Sequence, residues 1–172
     1  KHTASELQKL KNAAFPRVVE VGVAQSIPFM VMEYVAGASV RQLAEAQRAG
    51  EATIRPEAWV LMATDLASAV GELHRFKRGD RMLIHSDITA SNVMVDTEGR
   101  VRLLDLGLAL AGDSLWRGIV RSRGKDLPSY LKEGQRTREL DTFAIARLLT
   151  ECLGGSTAVF GSQPAVPAGL VD

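Results

Sequence analysis

His85-Ser86-Asp87-Ile88-Thr89-Ala90-Ser91-Asn92, followed after a hairpin pattern by Asp105-Leu106-Gly107, is the stretch on which the reading of this chain turns. Met82 to Ile84, just before it, is a short apolar strand candidate. Asn92 to Val95 and Val101 to Leu104 flank Asp96-Thr97-Glu98-Gly99, a quartet of turn formers that predicts a hairpin. Two carboxylates and one amide therefore fall at the mouths of neighbouring strands. Such a polar cluster is costly unless it has a chemical task.

Upstream, Ala4 to Ala14 carries Leu7, Leu10 and Ala14 at helical spacing and is closed by Phe15-Pro16, so a helix is expected there. Val18 to Val23 and Phe29 to Tyr34 are β-branched and aromatic, with five residues between them, which suits two antiparallel strands. Ser39 is placed to cap a helix reaching about Gln47. Pro56 suits the first turn of a longer helix to Phe76, with Trp59, Met62, Leu66, Val70 and Leu73 on its buried face. Downstream, residues 109 to 134 show no sustained periodicity and read as one long functional loop. Leu140 to Leu153 returns to helix, its apolar residues spread widely enough round the axis to predict burial on all sides. Residues 154–172 read as a linker or a truncated end.

Composition excludes several classes. The net charge of +1, with charges in short mixed groups, gives no footprint for nucleic acid or an anionic membrane. No stretch approaches the roughly 18 apolar residues of a membrane span. The single cysteine, Cys152, forms no internal disulfide and no zinc-ligand pair, which fits a reducing cytoplasm. Lys1-His2-Thr3 opens on neither Met nor a signal pattern, so the chain reads as part of a longer one.

The residue types at the strand mouths suit phosphoryl transfer, which needs an oriented acceptor hydroxyl and a divalent metal to neutralise phosphate charge. Asp87 is the candidate for the first task, Asn92 and Asp105 for the second. Magnesium keeps several waters and takes hard oxygen donors, so one carboxylate and one amide oxygen from protein are a sufficient set beside phosphate oxygens.

These motifs resemble the protein-kinase superfamily, whose catalytic loop is H-R-D-x-x-x-x-N and whose D-F-G holds metal. Met32-Glu33-Tyr34-Val35-Ala36-Gly37 looks like the family's hinge, with Met32 in the gatekeeper place and Glu33 and Val35 presenting backbone groups to adenine. Asp141-Thr142-Phe143-Ala144 resembles the start of the central helix whose aspartate holds the catalytic-loop backbone, and Pro128 to Glu133 resembles the substrate-facing segment. The resemblance implies a bilobal α+β fold with residues 1–34 a small-lobe remnant and 35–153 the large lobe. It implies ATP and Mg2+ as cofactors and a protein substrate. Ser39, Val40 and Met94 would lie beside adenine, Glu6 would pair with an ATP-binding lysine upstream of Lys1, and Leu10, Val21, His85 and Leu106 would form a packed column on Asp141, continued by Leu148 and Cys152.

Three positions depart from the pattern. Ser86 replaces the usual arginine, as in non-RD kinases; Thr89 stands in a common lysine position; Leu127 stands in the place of a substrate-loop threonine. The expected activity is a protein serine/threonine kinase, with the chain alone inactive. The alternatives are a kinase-like small-molecule phosphotransferase, which loss of the lysine favours, and a pseudokinase binding module.

Overall fold

The computed structural model describes residues 12–25, 27–78, 81–106 and 137–155. The first β-branched runs form an antiparallel pair, β1 (Val18–Ala24) and β2 (Ile27–Met32), with Val18 opposite Met32, Ala24 opposite Ile27 and a register shift between Val18 and Glu20. There follow β3 (Gly37–Ser39), α1 (Val40–Arg48), α2 (Pro56–Arg75), β4 (Lys77–Arg78), β5 (Arg81–Met82), β6 (Val93–Asp96), β7 (Val101–Leu103) and α3 (Arg138–Cys152). β3, β6 and β7 make one antiparallel sheet in that order, and β4 pairs with β5. The architecture is α+β, as expected.

Local chemistry accounts for most boundaries. Ser39 caps α1 in a capping box with Gln42: its Oγ accepts from Gln42 N–H at 3.2 Å, and its own N–H donates to Gln42 Oε1 at 2.8 Å. Pro56 opens α2, and His74 and Arg75 close it where the helix dipole favours positive charge. In the hairpin between β6 and β7, Asp96 Oδ1 accepts from Glu98 N–H at 3.0 Å and Arg100 N–H at 2.9 Å, while Gly99 takes the φ of +79° that the turn needs. The Arg100 backbone amide first, and then its side chain, hold the Asp96 carboxyl down at about 2.

Two sequence expectations change. Leu83 and Ile84 are buried but lie off the ladder, which is confined to Arg81–Met82 against Lys77–Arg78; Leu83 N–H donates instead to Phe76 O at 3.2 Å. α3 is not buried all round. Leu140, Asp141, Leu148 and Cys152 are buried, whereas Phe143, Ile145 and Leu149 are half-buried, because among the described residues α3 closes mainly on α2. Cys152 sits in this core, and burial pushes its thiol up to about 11, which makes it unreactive. Most of the expected helix from Ala4 to Ala14, the loop from 109 to 134, and residues 156–172 lie outside the described residues; Asn12 to Phe15 forms a turn closed by Phe15 N–H to Asn12 O at 3.0 Å.

The core lies between α2 and the three-stranded sheet. Trp59, Met62, Leu66, Val70 and Leu73 are all buried, as their spacing predicts, and meet Val93, Val101 and Leu103. Val93 and Leu103 are directly opposed and both fully buried, so their neighbours Met94 and Arg102, with Ser39 across from Met94, line the opposite face. From that face Arg102 reaches Glu33, in the segment after β2.

β3 lies so close to β6 that a Cβ on Gly37 would stand 2.2 Å from Val95 O, a backbone atom with no rotamer to give way. Gly37→Ala is therefore expected to destabilise the fold by ~2 kcal/mol, read as a lowered urea midpoint; an unchanged midpoint would show that the two strands separate freely.

Candidate active site

Asp141, fully buried at the start of α3, organises the loop that carries Asp87. Its Oδ2 accepts from His85 N–H at 2.8 Å, and its Oδ1 accepts from Ser86 N–H at 2.8 Å. Two successive amides reach one carboxylate only if the chain turns sharply, and Ser86 adopts φ +69° to do so. A left-handed non-glycine residue costs about 1–2 kcal/mol. Each hydrogen bond to a charged acceptor contributes about 1.5–3 kcal/mol, so the carboxylate outweighs the strain.

A third donor completes the set: His74 Nε2 lies 2.8 Å from Asp141 Oδ2, with both side chains buried. No residue near His74 in the chain marks it as a partner of Asp141, and on its own a histidine there reads as a surface or helix-packing residue. Its spacing carries the missing signal, because Leu66, Val70 and His74 rise in steps of four along the buried face of α2.

His85 is scaffold rather than base. Its Nε2 donates to Leu104 O at 3.0 Å and its Nδ1 accepts from Asp87 N–H at 3.3 Å, a division of roles that belongs to the neutral ring. Burial lowers its pKa below the ordinary 6.5, overriding the upward pull of Asp141. Leu106, Leu148 and Cys152 are buried in one core; Leu10 and Gly107, and with Leu10 the full expected column, lie outside the described residues.

After Asp87 the chain reverses through Thr89, whose carbonyl accepts from Asn92 N–H at 3.0 Å and Val93 N–H at 3.1 Å, and enters β6. Asn92 Nδ2 donates back to Asp87 O at 2.9 Å and Asp87 Oδ2 at 3.0 Å. With its nitrogen committed, the amide oxygen of Asn92 has no partner among the described residues. Asn92 O accepts from Leu104 N–H at 2.7 Å, which brings the end of β7 beside the start of β6 and sets Asp105, exposed at φ +63°, as the next residue. Ser86 and Asp105 thus hold two of the three positive-φ non-glycine positions among the described residues, and both border Asp87 or Leu104.

The donor chemistry fits magnesium. Among the described residues no group of three or more His, Cys, Asp and Glu side chains is gathered to hold an ion alone. A carboxylate and an amide oxygen are hard donors that suit a cation keeping waters and phosphate oxygens. Beside Asp87 opens a cavity of about 370 Å³, lined also by Arg41, Ser86, Thr89, Phe143 and Arg147.

The hinge-like segment is fastened at both ends. Glu33 N–H donates to Arg17 O at 2.9 Å, and Ala36 O accepts from Thr97 N–H at 3.0 Å. Between these bonds, Glu33 C=O and the N–H and C=O of Val35 have no backbone partner among the described residues. Met32 ends β2, Met94 lies on the sheet face turned toward this segment, and the Ser39 hydroxyl is engaged in its helix cap. Glu6 lies outside the described residues.

Asp141→Ala would leave two buried amides and His74 without their acceptor, and an unfolding loss of at least ~3 kcal/mol is expected, read by urea titration; a loss below ~1 kcal/mol would show that water replaces the carboxylate. Stability should also depend on pH. His85 has a lowered folded pKa, so its contribution is whole above the unfolded value of 6.5 and declines as pH falls through it. Asp96, at about 2 folded against 3.8 unfolded, contributes above 3.8 and loses that contribution between 3.8 and about 2. The urea midpoint is expected to be level above neutrality and to fall on acidification first below 6.5 and again below 3.8; a midpoint that rises between pH 7 and 5 would contradict the neutral His85.

Known proteins resemble the chain over most of its length. The chain is 27% identical over 176 residues to LysM domain receptor-like kinase 3 of Arabidopsis thaliana, covering 95% of this chain and 26% of the relative. It is 26% identical over 164 residues to serine/threonine-protein kinase PknL of Mycobacterium tuberculosis, covering 93% of this chain and 39% of the relative. The chain thus spans between a quarter and two fifths of the length of these relatives. Among solved structures it matches PpkA-294 in its apo form with a TM-score of 0.61 at 19% identity, over 90% of this chain and 53% of that one, a likeness of fold. No helix among the described residues is long and apolar enough to cross a membrane. The protein kinase domain family matches residues 1–166, and the chain belongs to that family.

Proposed function

We propose that this chain is the catalytic part of a Mg2+- and ATP-dependent protein serine/threonine kinase, with residues 1–34 contributing to the small lobe and 35–153 forming the large lobe. The observation that carries the reading is the posture of Asn92: its amide nitrogen steadies the Asp87 carboxylate, and its oxygen is left for a cation. Asp87 orients the acceptor hydroxyl and takes up its proton as the bond to the γ-phosphorus forms and the bond from that phosphorus to the β–γ bridging oxygen breaks, with ADP as the leaving group. Asn92 and Asp105 hold magnesium, which when bound neutralises charge on the β- and γ-phosphates. The free backbone groups of Glu33 and Val35 receive adenine behind Met32, with Met94 and Ser39 on the sheet face below it, and Glu6 belongs to the lysine pair of the small lobe. The cavity beside Asp87 gives the acceptor side chain room. A reducing, cytoplasmic setting fits the single cysteine.

Thr89 is the one feature that favours a small-alcohol acceptor instead, because a lysine there would reach the γ-phosphate. The test is Asp87→Ala in the full-length protein. Loss of an orienting base is expected to lower kcat roughly a hundred- to ten-thousandfold while the dissociation constant for Mg-ATP stays nearly unchanged. An unaffected rate would sink the assignment of Asp87, and phosphate transfer to a small alcohol but to no protein would decide for the rival acceptor.

A further inference from the structure

The β6–β7 hairpin carries a cation that the catalytic set does not use. Arg102, in the middle of β7, forms an ion pair through its Nη2 with Glu33 Oε1 on the hinge-like segment, and its Nη1 lies 3.5 Å from Asp96 Oδ2 at the hairpin turn. The side chain is only 12% exposed, and its Nε is buried without a partner among the described residues. A long charged side chain held in this way is fixed at both terminal nitrogens. Arg102 is also the direct cross-strand neighbour of Met94, which in turn faces Ser39, so all three stand in one row on the face turned toward the hinge.

We propose that Arg102 is a positioning residue for the nucleotide: by pinning the Glu33 side chain to the hairpin, it fixes the spacing between the free backbone groups of Glu33 and Val35 and the surface of Met94. The inference rests on the kinase reading above and deepens it. Without Arg102, the bond from Glu33 N–H to Arg17 O still joins the segment to the β1–β2 side, and the bond from Thr97 N–H to Ala36 O still joins it to the hairpin. What disappears is the restraint on residue 33 relative to the floor of the site. The acceptor end is independent of it, since Asp87 is held by Asn92 and by the loop on Asp141.

The hairpin itself should survive the loss. Asp96 keeps Arg100 Nε at 3.0 Å and two backbone amides, and Glu33 is exposed enough to be hydrated. Arg102→Met retains the aliphatic volume and removes the charge. In the full-length protein it is expected to raise the KM for ATP and the dissociation constant for ADP about tenfold, with kcat changed less than about twofold, the signature of lost ground-state positioning. Arg102→Lys, which keeps one charge but loses the fork, should fall between. Glu33→Gln should weaken ADP binding less than Arg102→Met, and the double variant should bind no worse than Arg102→Met alone, because both changes act on one contact. ADP binding is measured by calorimetry alongside the thermal midpoint. An unchanged KM with wild-type nucleotide binding intact overturns the role of Arg102, as does a fall in kcat that matches the change in kcat/KM, or strictly additive effects of the two substitutions. Absence of ADP and ATP binding by the wild-type protein overturns the kinase reading and this inference together.

Discussion

The buried carboxylate of Asp141 is the interaction on which the rest of the site depends. A charge taken out of water is tolerated only where several donors converge on it, and here three do: the amides of His85 and Ser86 and the ring of His74. The two amides come from the loop after β5 and the ring from α2, so one side chain on α3 joins all three segments. The left-handed turn at Ser86 is a consequence of this convergence. So is the direction of Asp87, which leaves the loop immediately after the turn.

A second set of bonds carries that order across to the sheet. His85 reaches Leu104 O, Asn92 O receives Leu104 N–H, and Asn92 Nδ2 returns to Asp87. The loop and the end of β7 are thereby closed into one unit in which His85 is buried with Val93, Leu103 and Ile88 while Asp105 is exposed. The candidate residues Asp87, Asn92 and Asp105 lie outside the buried core. Their positions are inherited from backbone bonds and from one buried anion, which is why polar groups at strand mouths can stand close together without a core of their own.

Much of this was legible in the chain before any coordinates. The two antiparallel strands, the Ser39 cap, the Pro56 start and the hairpin around Asp96 to Gly99 each follow from residue chemistry acting over a few positions, although the second strand starts at Ile27 and ends at Met32 where its β-branched and aromatic run suggests Phe29 to Tyr34. The order of Asp87, Asn92 and Asp105 was equally local. What escaped was long-range. Nothing near His74 names Asp141, 67 residues away, and nothing near Arg102 names Glu33, 69 residues away. Such pairs depend on which faces meet after packing. The half-buried side of α3 escaped for the same reason: a widespread apolar pattern says that a helix can be buried, not how many neighbours close on it.

Ser86 gives the arrangement its particular character. In place of an arginine that would hold a phosphorylated loop, this position offers a hydroxyl that turns inward to Ile84 O at 3.3 Å. A bidentate cation can draw order from an added phosphate, whereas an inward hydroxyl has nothing to offer one. The direction of Asp87 is accordingly set from beneath, by Asp141 and His74, and the contacts that set it are already closed in the unmodified chain. A phosphate elsewhere on the chain therefore has no route through the residue 86 side chain by which to orient Asp87. The segment from Glu33 to Ala36 is held in a different way, by backbone bonds at its two ends and by the pairing of the Glu33 side chain with Arg102, so its restraint does not pass through Asp141 at all.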